Sequence, residues 1–388
     1  MSGILKVHSR NLQVLWLVTL ISSLAANLTA PVWSIYIRSL RASMTELGYI
    51  LSLSNAMTAI LQIPSGWFSD RYGRKRIHIA GTLIGVFPPL AYTFARNWTD
   101  LIPWVVISGV STGLYSTVRW SIVADDSTVK TRAMAYSWMN ISWLIGNVAG
   151  PILGGLLADS FGIKTPFLAC FMLSFMYLPF VFMIEETKWK SPPQKSGFDE
   201  GGCAKMFLSA ATVFFLVNML QGMGYGAFFT VTPIFMLKRF SAEFFHIGLV
   251  NAVGYGLASM VVQIPGGLGA SRCDKKRLLI VTTLISSPFY ALLPSSRSVA
   301  DYLLYIFISN AVLAFSWPAF QDWMMSSVPS SKWGFMNGLA ATSFWAGLMA
   351  GSAISGLIWD LFGMFVPYYF VSMMIFLSVI PVLFIERA

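Results

Sequence analysis

Long apolar runs separated by short polar punctuation recur from one end of the chain to the other. They fall near residues 12–37, 45–69, 77–95, 101–124, 133–158 and 165–184. After a polar gap they resume near 206–237, 244–270, 278–296, 301–325, 333–359 and 363–385. Each run is close to the ~20 apolar residues that a helix needs to cross the hydrocarbon core of a bilayer. A membrane barrel would instead show ~10-residue segments of alternating polarity. The pattern predicts an all-α polytopic membrane protein with twelve transmembrane helices in two six-helix halves, residues 1–184 and 206–388. The linker between them, 185–205, runs from Glu185-Glu186 through Pro192-Pro193 to Gly201-Gly202 and reads as flexible.

Composition narrows the class. Of 388 residues, 56% are hydrophobic and only 11% charged, less than half of the roughly 25% charged residues of a soluble domain. A soluble enzyme and a disordered chain are both excluded. A net charge of +10 would suggest nucleic acid in a soluble protein, but here the bases cluster between apolar runs. The expected partner is therefore the lipid bilayer and no nucleic acid. With both termini cytoplasmic, 18 of the 26 Lys and Arg residues lie inside, 7 lie outside, and Arg119 lies within a span. The bias of basic residues to the inner side sets that orientation, and a cell membrane is the expected host. Lys6, His8 and Arg10 ahead of an apolar run imitate a signal peptide, but the run continues to Tyr36 and should be kept as the first helix.

Other chemistry is sparse. Cys170, Cys203 and Cys273 offer neither a disulfide framework nor metal-ligand spacing, so no metal and no cofactor are expected. Gly222-Met-Gly224-Tyr-Gly226 lacks the spacing and the preceding strand of a dinucleotide fingerprint. Asn27-Leu-Thr29 and Asn140-Ile-Ser142 fit a glycosylation pattern but lie within spans, and Asn97-Trp-Thr99 lies on a short outside loop. His78 and His246 fall at helix starts, where solvated ends are expected.

The chain also repeats itself at an offset of 201 residues. Gln62-Ile63-Pro64 recurs as Gln263-Ile264-Pro265, and Gly66 matches Gly267 with a basic cluster following both. Gly146, Gly150, Gly155, Asp159, Gly162 and Pro166 match Gly347, Gly351, Gly356, Asp360, Gly363 and Pro367. Parallel repeats of six helices put a pseudo-twofold axis along the membrane normal and a site between the halves near the midplane.

The segment Gly66-Trp-Phe-Ser-Asp70-Arg71-Tyr-Gly73-Arg74-Lys75-Arg76 closes the second span, crowding one acid and four bases into a short loop. With the repeat and the six-plus-six layout, it resembles the loop signature of the major facilitator superfamily, G-x-x-x-D-R-x-G-R-K, between helices two and three. The resemblance implies a conformational latch: Asp70 would cap the helix beginning near Trp333, and Arg74 would meet Asp125 or Asp126. An acid near a helix N-terminus is favourable. The second copy carries Ser271 where Asp70 stands, which puts a latch on that half in doubt.

In the fifth span, Gly146-Asn-Val-Ala-Gly150-Pro151-Ile-Leu-Gly154-Gly155 is similar to the family's antiporter signature, G-x-x-x-G-P-x-x-G-G. Small residues four apart let helices approach closely, and Pro151 permits a bend. The resemblance tilts direction towards efflux, against ordinary helix packing as the plain alternative. Proton-coupled drug antiporters of the family carry an Arg early in helix four, in the pattern R-x-x-q-G. Here Gly113 holds the glycine position and Gly109 the Arg position, and no acid lies in the body of spans one, four, five or seven. Coupling to a proton or another ion therefore stays open.

Arg119 shares one helix face with Ser108, Thr112 and Tyr115, at spacings of 4, 3 and 4. Family helices one, four, seven and ten line the cavity, which makes an intramembrane Arg a binding candidate; snorkelling towards Asp126 is the alternative. Further candidates are Asn27, Asn218, Gln221, Tyr225, Asn310, Trp317 and Gln321, each of which can equally serve as a helix–helix hydrogen bond. Asp322 maps off the cavity face and should pair with Lys275 or Arg277. The expected protein is a monomeric, non-enzymatic secondary transporter of a small organic solute, working by alternating access and exporting an amphiphilic compound. Uptake or facilitated diffusion of a polar metabolite is the second reading, and a non-transporting receptor or lipid-handling scaffold the third.

Overall fold

The computed structural model describes residues 9–127, 131–187, 200–328 and 333–384, and every regular element among them is helical. In chain order the elements are α1 (Arg10–Ser39), α2 (Met44–Tyr72), α3 (Arg74–Tyr92), α4 (Trp98–Asp125), α5 (Arg132–Phe161) and α6 (Thr165–Met183). They continue as α7 (Glu200–Phe240), α8 (244–272), α9 (Lys275–Ser295), α10 (Val299–Ser326), α11 (Trp333–Phe362) and α12 (Val366–Leu383). Eleven stretches among the described residues are long and apolar enough to cross a membrane. The twelfth helix, α3, is the least apolar because it starts on Arg74-Lys75-Arg76 and carries Pro88-Pro89. Most of the expected linker, 188–199, lies outside the described residues.

Several helices are interrupted where the sequence demands it. Pro31 sits in the break between the two parts of α1, and α10 pauses at Ser316 just before Trp317-Pro318. Proline lacks the N–H that would continue the ladder and restricts the residue before it. In α8 the segment Ala252–Leu257 is wound as a π-helix.

The 201-residue repeat extends to the caps. Asn97 and Asp100 form a capping box at the start of α4, and Ser298 and Asp301 form its counterpart at α10. Helices α5 and α11 both end on a glycine in the left-handed region, Gly162 at φ 96° and Gly363 at φ 88°, a conformation that a β-carbon would strain.

The chain forms two compact units. One comprises Met1–Ala42, Ala56–Lys190 and Met236–Ala252; the other comprises Ser43–Asn55, Ser191–Phe235 and Val253–Ala388. Each unit thus takes most of one sequence half and a segment of the other. In the first, Leu15, Val118, Ile122 and Val181 belong to one apolar cluster that joins α1, α4, α5 and α6. In the second, Phe214, Trp323, Met324 and Val382 belong to its equivalent. Large apolar side chains are exposed, Phe175, Leu361 and Phe384 among them, as contact with lipid requires.

Candidate functional site

The first cluster lies where α2 ends, α3 begins and α4 ends, all within the first unit. Gly73 makes the turn at φ 101°, which leaves the first N–H groups of α3 without intrahelical partners. Glu186, just beyond α6, supplies the acceptor: its Oε1 receives the backbone N–H of Arg74 at 2.6 Å and of Lys75 at 3.3 Å. A carboxylate at a helix start also meets the positive end of the helix dipole.

Arg74 then projects across the seam. Its Nε donates to Asp125 Oδ2, and its Nη1 pairs with Asp70 Oδ1 at 3.0 Å and donates to Ser69 Oγ at 3.2 Å. Thr187 Oγ1 donates to the same Asp125 oxygen at 3.3 Å. Of the two acids that the sequence left open, Asp125 takes the pair, while Asp126 accepts from Ser9 Oγ at the cap of α1. The Arg74 and Asp125 side chains are only 13% and 16% exposed, so their attraction is screened less than that of a surface pair. Arg71 instead lies over the rings of Trp67 and Tyr72, at 5.4 and 5.7 Å, and Gly66 has open space where a β-carbon would stand. The residues just ahead of Trp333, at the helix start that Asp70 was expected to cap, lie outside the described residues.

The glycine motif of α5 is a packing seam. A β-carbon on Gly146 or Gly154 would collide with Ser23 or with the Leu28 carbonyl of α1, and one on Gly150 would stand 2.6 Å from Asn27 Cβ. Gly155 and Pro151 turn towards the first turns of α8, where they meet Phe244 and Gly248. In the second unit Gly347 and Gly351 repeat this against Met219 and Met223 of α7, and Gly356 meets Met44.

At the same ends, two acids cap helix starts. Asp159 accepts from the backbone N–H of Phe244 and Phe245, at 3.0 and 2.8 Å. Asp360 accepts from Thr45 N–H and Thr45 Oγ1, both at 2.7 Å. The repeat had matched these two acids, but nothing local to either announced a partner helix.

The expected binding residues divide into those that meet each other and those that do not. Asn27, Thr112 and Asn218 donate to carbonyls of their own helices, at Ser23, Ser108 and Phe214. Gln221 is buried and Gln321 half-buried, while Trp317 is exposed and stacks on Phe320 with ring centres 5.6 Å apart. In the second unit Tyr225 and Tyr290 both donate to Asn310 Oδ1, at 3.3 and 2.9 Å. Asp322 pairs with Lys275 at 2.5 Å. A shallow apolar groove lined by Val262, Thr282 and Phe315 lies apart from these groups.

In the first unit Tyr115 and Arg119 stand one turn apart on α4. The Arg119 guanidinium lies over the Trp120 ring at 5.0 Å, and its buried Nε has no hydrogen-bond partner. His78 corrects the sequence reading: it is no solvated helix end but 2% exposed, packed edge-on to Tyr115 with ring centres 6.3 Å apart. It sits one turn inside α3, on the face that packs against α4, where Gly81 and Ser111 already bring the two helices together.

The family model described as Major Facilitator Superfamily matches residues 15–217 and again residues 214–388, once for each repeat. The chain belongs to the major facilitator superfamily. Among its relatives, an uncharacterized MFS-type transporter of Methanocaldococcus jannaschii, MJ1560, is 25% identical over 97% of this chain and 99% of its own. Multidrug resistance protein 2 of Bacillus subtilis is 23% identical over 88% of this chain and 86% of its own. A solved D-xylose-proton symporter shares the fold, with a TM-score of 0.77, 14% identity and 95% of both chains covered. This superfamily member is therefore an integral multi-pass membrane protein of a transporter family rather than of an enzyme family, with two pseudo-symmetric six-helix halves.

Proposed function

We propose that the protein is a secondary active exporter of a small amphiphilic organic solute, working by alternating access as a monomer in the cell membrane, with both termini cytoplasmic. The observation that carries the reading is the cluster of Asp70, Arg74 and Asp125, anchored by Glu186. Four polar elements tied at one end of a helical unit make sense where that end must be held and released. A scaffold that had lost transport would have no use for such a cluster. Direction towards efflux draws support from the Gly146–Gly155 seam and from the likeness to resistance proteins. The solute would contact Tyr115, Arg119 and the polar residues on α1, α7 and α10.

Uptake or facilitated diffusion is the second reading, favoured by one observation. The bodies of α1, α4, α5 and α7 contain no carboxylate, and a buried acid is the usual carrier of a coupling proton. Flux in proteoliposomes decides between the two. Export predicts accumulation against a solute gradient when a proton or sodium gradient is imposed; facilitated diffusion predicts equilibration only. Cysteines placed in 185–205 should label from the cytoplasmic face alone, and one at Asn97 from the outer face.

A further inference from the structure

Two donors in the first unit are left without a well-formed hydrogen bond among the described residues. His78 is almost wholly buried beside the Tyr115 backbone, and neither ring nitrogen makes a well-formed hydrogen bond among the described residues. Arg119 Nε is likewise buried and unpartnered, and Arg119 forms no ion pair among the described residues. The two flank Tyr115, whose ring meets His78 edge-on at 6.3 Å and which stands one turn before Arg119 on α4. The nearby acids are already engaged, Asp125 by Arg74 and Thr187, and Asp126 by Ser9.

A guanidinium within a membrane span is costly unless it faces water or a partner, and the partner that the structure shows is the face of the Trp120 ring. A buried polar group without a partner adds to that cost. Such an arrangement persists where something outside the chain completes it. What completes two neighbouring donors, one a cation, is an acceptor of negative charge. A guanidinium offers a planar fork that matches two oxygens of a carboxylate or phosphate at once. His78 offers one further N–H, and the rings of Tyr115 and Trp120 beside the two donors would suit an apolar body.

The position fits loading from the latch end. Arg119 lies six residues before Asp125, and His78 four residues after Arg74, which places them roughly 9 Å and 6 Å inside that end at 1.5 Å per residue. The geometry points to Arg119 and His78 as the binding site for the oxyanion of the transported solute, a carboxylate or a phosphate monoester carried on a small aromatic or apolar body. The assignment rests on the transporter reading and names the charge of its substrate.

The test is isothermal titration of the purified full chain in lipid nanodiscs with benzoate, phenyl phosphate, benzyl alcohol and inorganic phosphate. Benzoate or phenyl phosphate should bind at least tenfold more tightly than benzyl alcohol. Arg119→Gln should remove that preference, His78→Gln should weaken anion binding severalfold, and benzyl alcohol binding should stay constant in both. Arg119→Lys keeps the charge without the fork and should fall between, which covers the case in which Arg119→Gln does not fold. Equal binding of anions and alcohol, or unchanged anion affinity in Arg119→Gln or Arg119→Lys, overturns the site and leaves the amphiphile exporter standing. Arg119-dependent binding of inorganic phosphate without any aromatic ligand keeps the oxyanion site and overturns the amphiphile. Absence of binding by all four probes overturns the site.

Discussion

Arg74 and Lys275 occupy equivalent places 201 residues apart, each the first residue of the helix that follows a basic loop. Their surroundings diverge. Arg74 reaches two carboxylates, Asp70 on α2 and Asp125 on α4, and its backbone N–H is held by Glu186 from beyond α6. Lys275 reaches one, Asp322, one turn before Ser326, the counterpart of Asp125. The start of α9 is capped locally, by Asp274 Oδ1 receiving the Arg277 N–H at 2.9 Å. A forked donor with three nitrogens can serve several acceptors, whereas an ammonium acts as a point charge. Among the described residues one copy therefore binds four elements together, whereas the other joins α9 to α10 through Lys275 and to α12 through the Lys276 ammonium on the Leu383 carbonyl, and leaves its acid 63% exposed. Repeated backbone does not entail repeated function, because a few side chains decide how many elements a loop holds.

This asymmetry is open to direct attack. The largest effect should come from Arg74→Ala, which strands Asp125 in a half-buried place. Removing one partner of such a pair costs about 3 kcal/mol, and flux should fall more than tenfold. Lys275→Ala, measured beside it in the same proteoliposomes, should lose less than about twofold, since exposed pairs contribute roughly 0–1 kcal/mol. Equal losses would mean that the two copies do the same work. Next comes Gly73→Ala, whose β-carbon would sit at φ 101° and 2.7 Å from Glu186 Oε2. A cost of about 1–3 kcal/mol is expected for a non-glycine residue held there, read as a lower midpoint in thermal unfolding with transport reduced in parallel.

Smaller again is Glu186→Gln, which weakens a charged helix cap by about 1 kcal/mol. Here the comparison sharpens: transport should slow severalfold, whereas Asp274→Ala in the second copy should lower thermal stability by a similar amount and leave transport near normal. Smallest is Asp322→Ala. Its exposed pair should contribute less than about 1 kcal/mol, and a midpoint shift comparable to that of Arg74→Ala would show that the second copy is also a firm tie.

Hydropathy and the fixed offset made the helices, the repeat and the glycine seam legible, because span length and close packing leave direct marks on residue choice. The basic loop was legible for the same reason, down to Arg74 and a choice of two acids. Its anchor was not. Glu186 reads as the second of two acids that open a linker, and only the folded chain brings it beside the start of α3, 112 residues from Arg74. His78 misled because helix-end rules assume water, while its place on α3 is set by how closely Gly81 lets α4 approach. Thr112 and Asn218 belong to polar stripes by their spacing and Asn27 is a lone amide within its span, yet each side chain donates to a carbonyl of the preceding turn, an acceptor that every helix provides.

The π-helical stretch of α8 has a consequence for phase. Such a turn holds one residue more than the α-turn it replaces, and one residue corresponds to about 100° of rotation. Side chains before and after Ala252–Leu257 therefore follow two separate stripes rather than one. The change of stripe falls where the chain passes between units, at Ala252 and Val253. A single rod can thus turn Gly248 onto the Pro151 carbonyl in one unit and Gly266 onto the Phe315 carbonyl in the other, each angle set independently. Deleting one residue of the stretch would fuse the two stripes and force both glycines to share a single angle.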